Sequence, residues 1–303
     1  MSKGTDLNIR NSRFLARMYK PLSFSVSIEE RFSTSKTGKQ EDCEDLIHDR
    51  SQHFVAVIDG VTSKTDKKWN GETGGRVAAR IINRAFAQMP QDYTAYQAVD
   101  LMTVMIAEYY EKFDCIKTAE ANPTQRIAAS FVAISLCKNE IWSVGDCQFM
   151  LGNQTYSSRI SVDQIMSGVR ALFLELEILK GATIDELCAH DTGRDFILPL
   201  LKTQSFLQNN PKAGEYWYPV VDGFSVPREG IVVKAIPEEV DTIVLASDGY
   251  PVLRNNLEES ESLLKDILEK DPLLFREYKA TKGKSKGNVS FDDRAFVKVR
   301  IIA

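Results

Sequence analysis

The runs "FVAVI" and "IVLAS" each end on an acid followed by glycine, at Asp59-Gly60 and Asp248-Gly249. Short, unbroken apolar runs of this kind read as strands buried in a core. Each pair is followed by a loop or helix pattern rather than by a returning strand, so each carboxylate stands where a buried strand leaves the core. Two further acidic segments fit the same description. "QEDCED" precedes the apolar pair Leu46-Ile47, and "FDDRAFVKVRI" sets Asp292 and Asp293 just ahead of a final strand. Four strand ends therefore carry carboxylates. A third Asp-Gly pair, Asp222-Gly223, lies between two alternating apolar runs in "YWYPVVDGFSVP" and is expected to be a hairpin turn without chemistry.

A chain of 303 residues, 43% hydrophobic and 26% charged, can bury a sizeable core as one large or two small domains. Its net charge of −4 excludes an overall basic footprint of the kind that neutralises nucleic-acid phosphates. No apolar run approaches the roughly 20 residues that span a bilayer, and the first residues lack the continuous apolar core of a secretory signal. Neither nucleic acid nor membrane is an expected partner, and the expected location is cytoplasmic. The five cysteines are odd in number and form no C-x-x-C pair, which points to reduced thiols, most of them small core residues, rather than disulfides or a zinc knuckle.

Residues 1–22 interleave basic and apolar side chains as an N-terminal arm, and one domain over 23–303 is the economical organisation. Alternation at Phe24, Val26 and Ile28 predicts a half-buried strand. Val77, Ile81, Ile82, Ala85 and Met89 share one helical face, and Leu101, Met102, Met105, Tyr109 and Phe113 share another. "IAASFVAISLC" and "EIWSVGD" read as strands across the turn "KNE", with "CQFML" continuing the meander. Residues 153–230, with two helical patterns between loops, read as an insertion. Strands return at "GIVVKA" and "DTIVLASD", followed by a helix bearing Leu257, Leu263, Leu264, Ile267 and Leu268. The loop "KATKGKSKGN" precedes the last strand.

If residues 45–49 and 53–59 pair as a hairpin closing near Gln52, Asp45 falls opposite Asp59. A turn at Arg50-Ser51 would instead set Asp42 opposite Asp59 and aim Asp45 along an apolar face. The first is preferred, because Leu46 and Ile47 then continue as strand. Four or five converging carboxylates raise one another's pKa and oppose folding unless a cation compensates. With three histidines and no paired thiolates, the ligands on offer are hard oxygens, which favour Mg or Mn over Zn. Two such ions sharing a carboxylate would activate water and clamp a phosphoryl group for in-line displacement. Solvated strand-end acids are the plainer alternative.

Taken in order, these segments resemble the metal-dependent Ser/Thr protein phosphatases of type 2C. "CEDLI" resembles that family's Glu-Asp segment, "FVAVIDG" its Asp-Gly strand, and "AASFVAISL" and "IWSVGDCQFML" its central strands. "IVLASDGYPVL" resembles its Ser-Asp-Gly strand and "FDDRAFVKV" its terminal strand. The likeness runs from about residue 24 to the C-terminus except for 153–230, where the family carries a variable flap. It implies an α+β fold, a four-layer αββα sandwich of two central antiparallel sheets flanked by helices. It also implies two Mg or Mn ions, with Asp59 bridging them, Glu44 and the Gly60 carbonyl on one, and Asp248 and Asp292 on the other. Asp45 would hold bound water from behind, and Asp146 matches a residue linked to a third, weaker metal. The implied activity is hydrolysis of phosphoserine or phosphothreonine in a phosphorylated protein substrate by a hydroxide bridging the ions, with a kinase as possible counterpart.

The chain departs from this family at three places. Val61 replaces a histidine proposed to protonate the leaving alkoxide, and Val252 replaces the usual companion of Asp146. Lys39 is the nearest match to the phosphate-binding arginine. Two functions stay open: the phosphatase, favoured by the retained acids, and a catalytically weak or silent relative that binds and regulates a partner. A haloacid-dehalogenase reading of "DGVT" would need a carboxylate two residues before Asp59, where Val57 stands. Lys279, Lys282, Lys284 and Lys286 lie near enough to Asp292 to steer a phosphorylated substrate.

Overall fold

The computed structural model describes residues 25–49, 52–65 and 67–302; the expected arm over 1–22 lies outside them. The strands in chain order are β1 (Ser25–Thr34), β2 (Leu46–His48), β3 (Phe54–Gly60), β4 (Ala129–Ser135), β5 (Glu140–Val144), β6 (Gln148–Leu151), β7 (Gln154–Ser157), β8 (Val232–Ala235), β9 (Thr242–Ala246) and β10 (Arg294–Ile302). The helices are α1 (Gly74–Gln88), α2 (Ala95–Lys112), α3 (Ile116–Ala121), α4 (Ser161–Leu179), α5 (Ile184–Ala189), α6 (Thr192–Thr203) and α7 (Leu257–Lys270). Two antiparallel sheets result, one ordered β1-β10-β9-β6-β7 and the other β2-β3-β4-β5-β8.

The residues of β3 show why layers form. Phe54, Ala56 and Ile58 face a core beneath helices, while Val55 and Val57 face the seam between the sheets, as the alternation of strand side chains requires. A strand apolar on both sides has to be covered on both sides. On the outer side, α1 and α2 supply Val77, Ile82, Phe86, Met102 and Ile106. Across the seam, β9 and β10 bring Ile243, Leu245, Val297 and Val299. The far face of that sheet is covered by Leu264, Ile267 and Leu268 of α7. The order is helices, sheet, sheet, helix, the αββα sandwich expected.

Several local expectations meet the structure directly. Leu46 pairs with Ile58 and His48 with Ala56, a register that projects Asp45 opposite Asp59. Helix α2 opens on a capping box between Thr94 and Gln97. Its buried face is Ala98, Val99, Met102, Met105, Ile106 and Tyr110, rotated from the expected one, so that Leu101, Tyr109 and Phe113 are only partly covered. The rotation follows from Tyr110, whose hydroxyl reaches the carbonyls of Ile127 and Asp222 at 3.1 and 2.9 Å.

Two expectations are corrected. Strand β6 does not continue the meander of β4 and β5; it crosses to the other sheet and pairs with β9 and β7. The crossing lets Phe149 and Leu151 close the seam from the opposite side. Asp222-Gly223 is not a hairpin turn either. The flanking residues form only isolated bridges, Ala129 with Val221 and Gln208 with Tyr218. Asp222 is fully buried and bound by Arg126 at 2.9 Å, a partner that the flanking apolar runs do not reveal.

Within 153–230, β7 belongs to the sandwich, and α4 to α6 form a separate helical body. Leu174 and Leu187 pack there on Leu273 and Phe275. The fully buried Arg170 ties this body down, bonding Asp191 at 2.6 Å and the carbonyls of Leu273 and Ala280 at 2.8 and 3.0 Å. No helix of the described residues is long and apolar enough to cross a membrane.

Candidate active site

Asp59 lies near the end of β3 on the side of Val55 and Val57, which places it at one end of the seam. Its register partner on β4 is Ser130, whose hydroxyl donates to Asp146 at 2.8 Å. Asp146 sits in the crossing between β5 and β6. From the other sheet, Asp248 follows β9, and Asp292 and Asp293 precede β10. Ser247 is near enough to Asp45, and Asp59 to Asp248, to oppose the rise of their carboxyls. The structure thus brings Asp45, Asp59, Asp146, Asp248 and Asp292 together from both sheets.

Glu44 joins through its neighbours. Its backbone amide donates to Asp293 at 2.8 Å, and its Oε2 accepts from the Thr62 hydroxyl at 2.8 Å. Gly60 permits this convergence because a Cβ there would come within 2.6 Å of the Gly75 carbonyl and 2.8 Å of the Glu44 carbonyl. Only glycine lets the end of β3 pack on the start of α1 and on the Glu44 backbone.

The electrostatics show strong mutual repulsion. Burial pushes the Asp59 carboxyl well above the usual carboxylate range, and Asp45, Asp248, Asp146 and Asp292 push it further. Asp45 is raised by burial and then by Asp293, Asp292 and Asp248. Asp146 is raised by burial, with the Ser130 hydrogen bond opposing. Asp248 is open to the cavity yet surrounded by protein on its other sides. This desolvation, with Asp146 and Asp292, pushes its carboxyl up to about 8. Asp292 goes the other way: burial would raise it, but the ammonium groups of Lys282 and Lys36 outweigh burial and hold it down. Lys282 is paired with Asp292, and Lys36 lies 3.4 Å from Asp293 and 3.9 Å from Asp292.

Sequence reasoning missed Lys36, Ser130 and Ser247, none of which carries a local signal. Lys282 lay within the lysine loop already singled out. Lys39 is not brought in: it is exposed ahead of the turn Gln40–Asp42, and Lys36, three residues earlier, reaches the acids instead.

The donor set fits a divalent cation chemically. Glu44 Oε1 and Asp45 Oδ2 are buried without a hydrogen-bond partner, and hard oxygens under mutual repulsion are what Mg or Mn relieves. Among the described residues no three His, Cys, Asp or Glu side chains are already drawn into a group able to hold a metal ion. Beside the acids lies a cavity of about 180 Å³, bordered by Asp59, Asp146, Asp248 and Asp292 and by Lys64 and Arg194.

No family model and no curated protein matches the chain. Solved structures do. The catalytic domain of the serine/threonine protein phosphatase PstP in complex with two manganese ions is 14% identical, with 92% of this chain and 100% of that one covered and a TM-score of 0.48. The serine/threonine phosphatase Stp1 from Staphylococcus aureus is 12% identical, with 94% and 99% covered and a TM-score of 0.48. RsbX in complex with magnesium is 10% identical, with 91% and 100% covered and a TM-score of 0.43. With TM-scores under 0.5, these likenesses bear on no individual residue of the site. Over most of its length the chain is thus similar to solved serine/threonine phosphatases.

Proposed function

We propose that this chain is a metal-dependent phosphoprotein phosphatase acting on phosphoserine or phosphothreonine. Glu44, Asp59, the Gly60 carbonyl, Asp248 and Asp292 would hold two Mg or Mn ions, with Asp146 beside them. The observation that carries the reading is the gathering of mutually repelling carboxylates from both sheets at one seam end, with unpartnered oxygens on Glu44 and Asp45. When bound, such ions lower the pKa of water and clamp a phosphoryl group for in-line attack. This chain's residues do the rest. Thr62 fixes Glu44 and Ser130 aims Asp146. A kinase of opposite activity would supply the substrates, and the cytoplasm is the proposed setting.

The test is hydrolysis of 4-nitrophenyl phosphate and of a phosphothreonine peptide, with Mn, with chelator, and with Asp59→Asn. Activity that needs Mn and is lost with chelator or with Asp59→Asn supports the reading; chelator-insensitive turnover sinks it. A weak or silent regulatory relative is the second reading, favoured by Lys282 and Lys36 lying on Asp292 and Asp293 as built-in cations. A folded protein without turnover in either metal would select it.

A further inference from the structure

Cleaving a phosphoserine or phosphothreonine ester expels an alkoxide, and a positioned proton donor speeds such a step by about 10²–10⁴. Val61, directly after Asp59-Gly60, has no proton to give. The cavity's cations differ in what already holds them. Arg126 is paired with Asp222, Lys282 with Asp292, and Lys202 is exposed at the end of α6. Arg194 donates to the Thr281 carbonyl at 2.8 Å, and a guanidinium does not release its proton.

Lys64 stands apart from these. Its ammonium donates to the Thr62 carbonyl at 2.8 Å, and no carboxylate of the described residues pairs with it. Two of its three N–H groups remain for a ligand. The loop is built to hold it: the Ser63 hydroxyl accepts from the Thr65 amide at 3.1 Å and donates to the Thr65 carbonyl at 3.0 Å. Thr62 is anchored on Glu44 at 2.8 Å. Burial depresses the Lys64 ammonium to about 8, with Lys282 and Arg194 repelling it and Asp292 and Asp163 opposing that shift. An ammonium so tuned is charged at neutral pH and gives up its proton more readily than an ordinary lysine.

We infer that Lys64 is the general acid of this site, donating an Nζ proton to the serine or threonine oxygen as the phosphate ester breaks. The inference rests on the phosphatase reading above. Water oxygen forms the new bond to phosphorus and yields one proton to solvent. The electron pair of the broken P–O bond goes to the side-chain oxygen, which takes the Nζ proton. The neutral amine regains a proton from solvent, and the products are a free hydroxyl and inorganic phosphate.

The experiment compares two leaving groups in wild type, Lys64→Met and Lys64→Arg, each with Mn: the phosphothreonine peptide and 4-nitrophenyl phosphate, whose phenolate departs without a proton. The ratio of peptide to aryl-ester turnover is expected to fall by about 10² or more in both variants, with residual aryl-ester turnover reporting an intact site. Wild-type peptide turnover should decline above pH about 8, with no matching limb on the aryl ester. Equal losses on both substrates, or an unchanged ratio, overturn the assignment. Wild type inactive on both substrates sinks the phosphatase reading, and this inference with it.

Discussion

Asp59-Gly60 and Asp222-Gly223 are the same dipeptide in buried surroundings, and burial raises both carboxyls, yet their neighbours differ in kind. Asp222 is fully buried and fully hydrogen-bonded: Arg126 bonds it at 2.9 Å, Asn209 donates at 3.2 Å and the Phe224 amide at 3.1 Å, and these partners oppose a burial that still raises its carboxyl. Its Gly223 lies at φ 88°, a left-handed turn. Asp59 faces four other carboxylates, and its glycine is needed for close approach rather than for an unusual φ. A satisfied acid stabilises a fold, whereas a frustrated cluster persists where a ligand will relieve it.

Substitution tests this contrast most sharply. Asp59→Asn is expected to lower Mn-dependent turnover by about 10³ or more, the several kcal/mol that paired cations contribute. Its thermal midpoint in chelator should match or exceed that of wild type, because one repelling charge is gone. A large stability loss would show Asp59 to be structural. Asp222→Ala should do the reverse, costing about 3–5 kcal/mol by taking from the largely buried Arg126 its carboxylate partner. Denaturant midpoints measure this, and a change under about 1 kcal/mol would mean that the pair is not the clamp described.

A smaller effect comes from the ligand itself. Mn at about 100 times its Kd should stabilise wild type by about 2.7 kcal/mol, and Asp222→Asn by the same increment. Asp59→Asn should gain little. Equal stabilisation of all three would place the ion elsewhere.

The smallest effect is a slope against pH in the metal-free protein. Asp45, Asp59, Asp146 and Asp248 have raised folded values. Their contribution is therefore fully present below the unfolded carboxylate value near 4 and is lost as pH rises through the folded values, reached for Asp248 at about 8. Asp292, held low by Lys282 and Lys36, works in the opposite sense as the solution is acidified. Thermal midpoints in chelator should decline from about pH 4 to 8, less steeply in Asp248→Asn. A rise over that range would contradict the cluster's electrostatics.

The strand ends and their acids were legible because burial and exit from a core are written in contiguous residues. The register that sets Asp45 opposite Asp59 was legible for the same reason, since a short hairpin leaves few ways to close. The partners of these acids were not. Asp222 and Arg126 lie 96 positions apart, and the apolar runs flanking Asp222 mimic a hairpin. Lys36 reaches Asp293 across 257 positions, whereas Lys39, closer to Glu44 in the chain, faces outward.

By itself the sequence determined the buried central strands and the chemical identity of the acids at their ends, while the layered α+β architecture came as what its resemblance to type 2C phosphatases implies. Only the tertiary structure decided which acids are frustrated and which are paired. It also decided that β6 closes the seam from the far sheet and that Lys64 keeps free protons beside the carboxylates. Apolar periodicity is a local property read along one chain segment. Charge compensation depends on distances of a few ångströms between segments that meet only after folding.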